Sequence, residues 1–266
     1  MLDISHSASV RLKNSLNENA SFSSYNPSIS IITVCYNDLS NLQTTLDNLR
    51  SLPHGSNMEF IVIDGGSQDG TSDYLQTLDD ARLRWVSEHD KGLYDAMNKG
   101  IERATKEWLW FINAGDKIDA SLMISIRSET NDKKENTLIY VPVLDNGRLV
   151  SKKIPQWQIP YCHQGVLFKN DTTIKYDTTY RIGADYKYIL QYIKKYNLDV
   201  RCIPIIPSSG AVVAELNGIS RQNRVARDWE AFRISLEHFG LCRNILFFPP
   251  LLIYQSLRII LNRIIR

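Results

Sequence analysis

The run Ile29-Ser-Ile-Ile-Thr-Val-Cys-Tyr-Asn-Asp38 decides the fold. Its first seven residues are rich in Ile, Val and Thr, the pattern of a strand buried on both faces, and it ends abruptly in polar residues with helix-capping chemistry. Leu39, Leu42, Leu46 and Leu49 then recur at helical spacing. Working outward, the alternation repeats. Glu59–Asp64 predicts a second apolar strand, Gly65-Gly66 a turn, and Tyr74, Leu75 and Leu78 a short helix. Leu83–Ser87 predicts a third strand, and Leu93, Met97, Ile101 and Ala104 the next helix. Glu107–Ile112 predicts a fourth strand, which runs into the loop Asn113-Ala-Gly-Asp116. Strands alternating with helices imply βαβ units, right-handed crossovers and a parallel sheet. In such sheets the ligand lies beyond the carboxyl ends of the strands. The four exits are Tyr36-Asn37-Asp38, Asp64-Gly65-Gly66-Ser67, Glu88-His89-Asp90-Lys91 and Asn113-Ala-Gly-Asp116. All are polar or glycine-rich.

Beyond Ser128 the pattern changes. Thr137–Leu144 and Arg148–Lys153 flank Asp145-Asn146-Gly147, and Asn-Gly between β-prone runs predicts a hairpin. Gln164–Lys169 predicts a strand, and a helix is expected over Ala184–Tyr196, with Ile189, Tyr192, Ile193 and Tyr196 on one face.

Composition sets the bounds. With 266 residues, 43% hydrophobic and 23% charged, the chain is long enough for a large core and is not a disordered one. Lys and Arg total 31 against 29 Asp and Glu, a net charge of +2, which argues against a nucleic-acid partner. Cys35, Cys162, Cys202 and Cys242 are widely spaced, so neither a disulfide framework nor a zinc site is expected; reduced thiols in a cytoplasmic protein are. Residues 1–27, rich in Ser and Asn, read as a loose N-terminal extension without the apolar core of a secretory signal. The apolar run Ile245–Ile253, broken by Pro249 and Pro250, is too short to span a bilayer. From Gly218 to Arg266 there are eight Arg and three acids, so the end is basic while the body carries a small negative excess.

Each exit residue has two readings. Asp64, followed by two glycines, can accept a ring N–H or a ribose hydroxyl, or it can simply cap a turn. The offsets of Gly65, Gly66 and Gly70 do not make a dinucleotide fingerprint. Asp116 can hold Mg2+ or Mn2+ together with substrate phosphates, or it can start the helix over 119–128. Lys91 can neutralise a phosphate or be an ordinary surface lysine. Asp185 can serve the dipole of the helix it opens, or act as a general base. His163, beside Gln164, can be a satisfied structural histidine or a ligand contact.

The segments Ile31–Asn37, Val62-Ile-Asp-Gly-Gly-Ser-Gln-Asp-Gly-Thr71, Ser87-Glu-His-Asp-Lys-Gly-Leu-Tyr-Asp-Ala-Met-Asn-Lys-Gly100 and Trp110-Phe-Ile-Asn-Ala-Gly-Asp116 together resemble the inverting family-2 glycosyltransferases. The branch that builds bacterial surface polysaccharides (colanic acid, capsule, O antigen) is the most similar. The likeness resumes at His163–Phe168, Ala184-Asp-Tyr186 and Asn217-Gly-Ile-Ser220. It implies a GT-A fold: an α/β, Rossmann-like, mostly parallel central sheet with flanking helices, an acceptor-side hairpin and C-terminal amphipathic helices. It divides the chain into a nucleotide-sugar-binding half (28–128), an acceptor-binding half of the same domain (129–240) and a basic amphipathic helix (241–266). The implied donor is a nucleotide-diphosphate sugar, a UDP-sugar by family tendency, with a divalent metal. Tyr36 and Asp64 fall to base and ribose, Asn37 and Gly65 to the donor site, Asp90 and Lys91 to the nucleotide and diphosphate, and Arg221 or Arg224 to a diphosphate clamp. Asp116 matches the metal-binding acid and Asp185 the catalytic base, with His163 and Gln164 on the acceptor side. Where many members carry two or three acids, this chain has Asn113-Ala-Gly-Asp116, so metal binding rests on Asp116, the diphosphate and the carbonyl of Asn113.

The expected reaction is transfer with inversion to a glycan or lipid-linked acceptor. The C-terminal helix, with Leu251, Leu252, Tyr254, Leu257 and Leu261 opposite Arg258 and Arg266, suits peripheral contact with the inner membrane face or packing on protein. Two rivals stand: a sugar nucleotidyltransferase, which would need a basic glycine-rich loop where Tyr36-Asn-Asp-Leu stands, and a non-catalytic nucleotide-sugar-binding protein.

Overall fold

A computed structural model describes residues 27–52, 57–123, 125–126, 138–150, 162–198, 210–214 and 223–240. The expected alternation appears in order: β1 (Ile29–Cys35), α1 (Leu39–Ser51), β2 (Met58–Asp64), α2 (Thr71–Gln76), β3 (Leu83–Ser87), α3 (Leu93–Arg103) and β4 (Trp108–Phe111). Then follow β5 (Lys117–Ile118), β6 (Leu138–Tyr140), β7 (Val143–Asp145), β8 (Arg148–Leu149), a 3-10 turn (His163–Gly165), β9 (Val166–Lys169), α4 (Ala184–Lys195), β10 (Val212–Val213) and α5 (Arg224–Phe239).

The main sheet has six strands in the order β3-β2-β1-β4-β9-β6. β3, β2, β1 and β4 are parallel, and β9 runs antiparallel to both β4 and β6. The strand order reverses at β1, which places a ligand crevice beyond the carboxyl ends of β1 and β4. Because β9 is antiparallel, its start delivers His163–Gly165 to that same edge. Strands from both sides of residue 128 therefore share one sheet.

The unbroken apolar runs of β1 and β2 are explained by cover on both faces. Ile29, Ile31 and Cys35 pack with Leu42, Leu46 and Leu49 of α1, while Ile32 and Val34 pack with Met97 and Ile101 of α3 and the aromatic cluster around Tyr188. α3 lies flush on the sheet at Gly100, where an added Cβ would come within 2.4 Å of Ile32 Cγ2.

One expectation is corrected. The single strand read over Thr137–Leu144 is two strands in two sheets: β6 joins the main sheet, while β7 belongs to a small sheet of order β5-β10-β7-β8. The break falls at Val141-Pro142, where proline offers no N–H to a ladder. The hairpin turn itself is as expected, with Asn146 at φ 50° and Gly147 at φ 73° between β7 and β8. The extension before residue 27, the Asn217–Ser220 motif and the basic segment 241–266 lie outside the described residues.

Candidate active site

Three strand exits meet at Gly65. A Cβ added there would lie 2.5 Å from Asp90 Oδ2 and 3.2 Å from Tyr36 Cδ2, so the absence of a side chain lets the third exit and the first close over the second. Tyr36 is 65% exposed, an unusual amount for an aromatic ring at the end of a buried strand. The exits are laced together by polar contacts. The N–H of Asn37, which sits at φ 50°, donates to Ser67 Oγ at 2.7 Å, and its Oδ1 accepts from the N–H of Gln68 at 2.8 Å. Asp90 Oδ1 accepts the N–H of Gly92 at 2.9 Å.

Asp64 is wholly buried. Its carboxylate accepts the N–H and hydroxyl of Ser67 and, at 2.5 Å, the hydroxyl of Ser87. Of its two readings, the geometry favours the turn: Asp64 braces the second exit against the third. Lys91 is exposed, with its backbone N–H bound to Asp95 Oδ2 at 2.9 Å.

The fourth exit is a tight loop. Asp116 is only 3% exposed, and its Oδ2 accepts the N–H of Asn113 at 3.1 Å. Thr45 of α1 donates to the Asp116 carbonyl at 2.9 Å and accepts the Gly115 N–H at 2.9 Å, fixing the loop from below. Among the described residues, no three His, Cys, Asp or Glu side chains form a ready-made metal site. The described donor set fits a divalent ion as one carboxylate with the Asn113 carbonyl, substrate phosphate oxygens supplying the other ligands, an arrangement that Mg2+ accepts.

On the opposite side, His163 is buried among Phe111, Phe168 and Tyr176, with Nε2 bonded to the Tyr176 hydroxyl. Burial alone pushes its imidazole down to about 3, so it is neutral and acts as a packing group. Gln164 is also buried; its carbonyl accepts the Trp110 indole N–H at 2.7 Å and its Oε1 the Cys162 thiol at 2.8 Å. Asp185 sits in the first turn of α4. Burial, opposed by the N–H groups of Tyr186 and Asp185 and reinforced by Glu230, pushes its carboxyl up to about 6. Arg224 opens α5, and Arg221 lies outside the described residues.

Cys162 ties the two sides together. Its thiol is pushed up to about 12, by burial first and then by the negative charges of Asp116, Asp185 and Asp145. Cys162, Asp145, Tyr94 and Glu230 carry no role in the sequence reading. Tyr94 stands inside a quoted motif and Asp145 in the Asp-Asn-Gly turn; Cys162 and Glu230 give no local signal, since only the fold brings them in.

Residues 30–143 match Glycosyl transferase family 2. An uncharacterized glycosyltransferase of Mycobacterium tuberculosis is 32% identical over 181 residues, covering 62% of this chain and 68% of the relative. The chain belongs to glycosyl transferase family 2. Among solved structures, Staphylococcus aureus TarS 1–349 in complex with UDP-GlcNAc superposes with a TM-score of 0.61 at 15% identity, over 79% of this chain and 66% of that one. Mannosyltransferase PcManGT from Pyrobaculum calidifontis, in complex with GDP-Man and Mn2+, gives 0.60 at 19% identity, over 86% and 70%. The fold is the GT-A fold.

Gly65→Ala should separate stability from ligand recognition. Asp90 is partly exposed and can swing away, so the melting temperature should change little. If the Gly65 cluster is a nucleotide pocket, nucleoside diphosphate affinity should fall by about tenfold or more, because the added methyl displaces Asp90. Calorimetric titration of the variant with UDP and GDP reads this; wild-type affinity for both removes the Gly65 cluster from the nucleotide pocket.

Proposed function

We propose that this chain moves a sugar from a nucleoside-diphosphate sugar, a UDP-sugar first among candidates, to a hydroxyl of a glycan or lipid-linked acceptor, with inversion, in the assembly of a bacterial surface polysaccharide. The observation that supports this reading is the meeting of three strand exits at Gly65, where a Cβ would lie 2.5 Å from Asp90 Oδ2 and 3.2 Å from Tyr36 Cδ2.

Tyr36 offers its ring to the base, and Asp90 its carboxylate to a ring N–H or ribose hydroxyl, with Asp64 bracing the pocket from behind. Asn37 shapes the first exit. Asp116, with the carbonyl of Asn113, would hold Mg2+ or Mn2+, which when bound offsets the charge that gathers on the departing diphosphate. Lys91, and Arg221 or Arg224, add positive charge on that side. At the anomeric carbon the acceptor oxygen bonds as the bond to the diphosphate breaks, and Asp185 takes the acceptor hydroxyl proton. A carboxylate raised to about 6 suits that role near neutral pH: it is ionised, yet more basic than an ordinary aspartate. His163 and Gln164 support the acceptor side from beneath. The basic segment 241–266 would bring the protein to an anionic membrane surface where lipid-linked acceptors lie. No described helix is long and apolar enough to cross a membrane.

A thermal-shift panel of UDP, GDP, CDP and ADP, each with and without Mn2+, tests the donor side. One nucleotide should raise the melting temperature, and more so with Mn2+; saturation at 100 times Kd corresponds to about 2.7 kcal/mol. A panel with no shift at all rejects the proposed donor class.

A further inference from the structure

We infer that Glu230 is the positioning residue of Asp185: from α5 its carboxylate grips the turn that carries Asp185 into the site. This rests on the reading of Asp185 as the proton acceptor. Glu230 Oε1 accepts the N–H of Arg181 at 3.0 Å, and Oε2 accepts those of Ile182 at 2.9 Å and Gly183 at 2.8 Å. Three successive backbone donors on one carboxylate form an anion nest. The turn lies flat against α5 there, since a Cβ on Gly183 would come within 3.1 Å of Ile234 Cδ1 and 3.3 Å of Glu230 Cβ.

α4 has a glycine N-cap and no side-chain capping bond of its own. Glu230 fixes the N-cap glycine and the two residues before it, while Asp185 Oδ1 takes the first-turn N–H of Tyr186. The turn is also held from the opposite side, where the Tyr94 hydroxyl of α3 donates to the Ile182 carbonyl at 2.6 Å. Both polar groups of the Ile182 backbone are thus fixed by side chains of two different helices.

The grip has an electrostatic counterpart. The ionisable groups that face Asp185 are Glu230 of α5, Tyr94 of α3, Tyr176 of the preceding loop and Cys162 before the 3-10 turn. No cation of the described residues is among them. Glu230 adds to burial in favouring the protonated carboxyl.

The test uses full-length protein labelled with 13C at the aspartate carboxyls and titrated by NMR. Asp185 is assigned as the resonance missing from Asp185→Asn. In Glu230→Gln the Asp185 midpoint should fall by about half a unit or more, and amide exchange at Arg181–Gly183 should quicken by about tenfold. A merely structural glutamate would loosen the turn without moving that one midpoint. A midpoint that stays at its wild-type pH overturns the inference. Should Glu230→Gln fail to fold, Glu230→Asp keeps the charge but falls one methylene short: faster exchange at Arg181–Gly183 with the midpoint nearly unmoved supports the grip, and unchanged protection overturns it. The underlying reading is judged separately. If Asp185→Asn still transfers sugar, the proton-acceptor role fails, whatever the titration shows.

Discussion

Asp185→Asn should bind donor as the wild type does and lose transfer by a factor of about 10²–10⁴, the range a positioned general base supplies. The substitution keeps the shape and an acceptor oxygen for the Tyr186 N–H, so the turn into α4 is preserved. Proton affinity is what disappears. In the wild type, kcat/KM should fall below pH 6, because the carboxyl is pushed up to about 6 and must be ionised to accept a proton. The same shift carries a stability cost. Asp185 ionises at a lower pH in the unfolded chain than in the folded one, so its contribution to stability declines as pH rises between about 4 and 6 and then levels off. Asp185→Asn removes that slope and should be the more stable protein at pH 7, by up to about 3 kcal/mol, with the gain vanishing near pH 4. Thermal melts at the two pH values, beside a transfer assay, read both effects. Wild-type turnover in the variant would falsify the assignment.

The second large effect is expected from Asp116→Asn. The amide oxygen can still accept the Asn113 N–H, and Thr45 holds the loop through backbone atoms, so the fold should survive. The negative charge is lost. Diphosphate binding should then no longer respond to Mn2+, and transfer should fall by about 10²-fold or more, since metal-assisted stabilisation of a leaving diphosphate is worth several kcal/mol. Isothermal titration with UDP or GDP at several Mn2+ concentrations measures the coupling directly. A variant whose nucleotide affinity still climbs with Mn2+ would place the ion elsewhere.

The alternation from Ile29 to Asp116 was legible because every local signal agreed. Ile29–Cys35 and Met58–Asp64 are apolar throughout, as strands covered on both faces must be, and the leucines of α1 fall at helical spacing on the face that meets them. The polar exits could be placed on one edge because a parallel sheet puts its carboxyl ends there. What escaped depends on contacts between distant parts of the chain. Thr137–Leu144 reads as one β-prone run, and only Pro142 hints that it divides between two sheets. Asp64 fits a ligand contact and a turn brace equally well until Ser67 and Ser87 are seen to occupy its oxygens. Glu230 is one acid in a mixed helix, and nothing local links it to a turn nearly fifty residues earlier.

The two sheets differ in how firmly they are made. β1 and β2 pair along 7 residues each, whereas β5, β8 and β10 are 2 residues long. Long ladders open only with the whole core, while such short ones can come apart locally. The main sheet is therefore the stiffer of the two, and the small sheet the more compliant. Mutations that reshape the small sheet therefore disturb little of the main one, and sequence can drift faster there without loosening the rest of the fold.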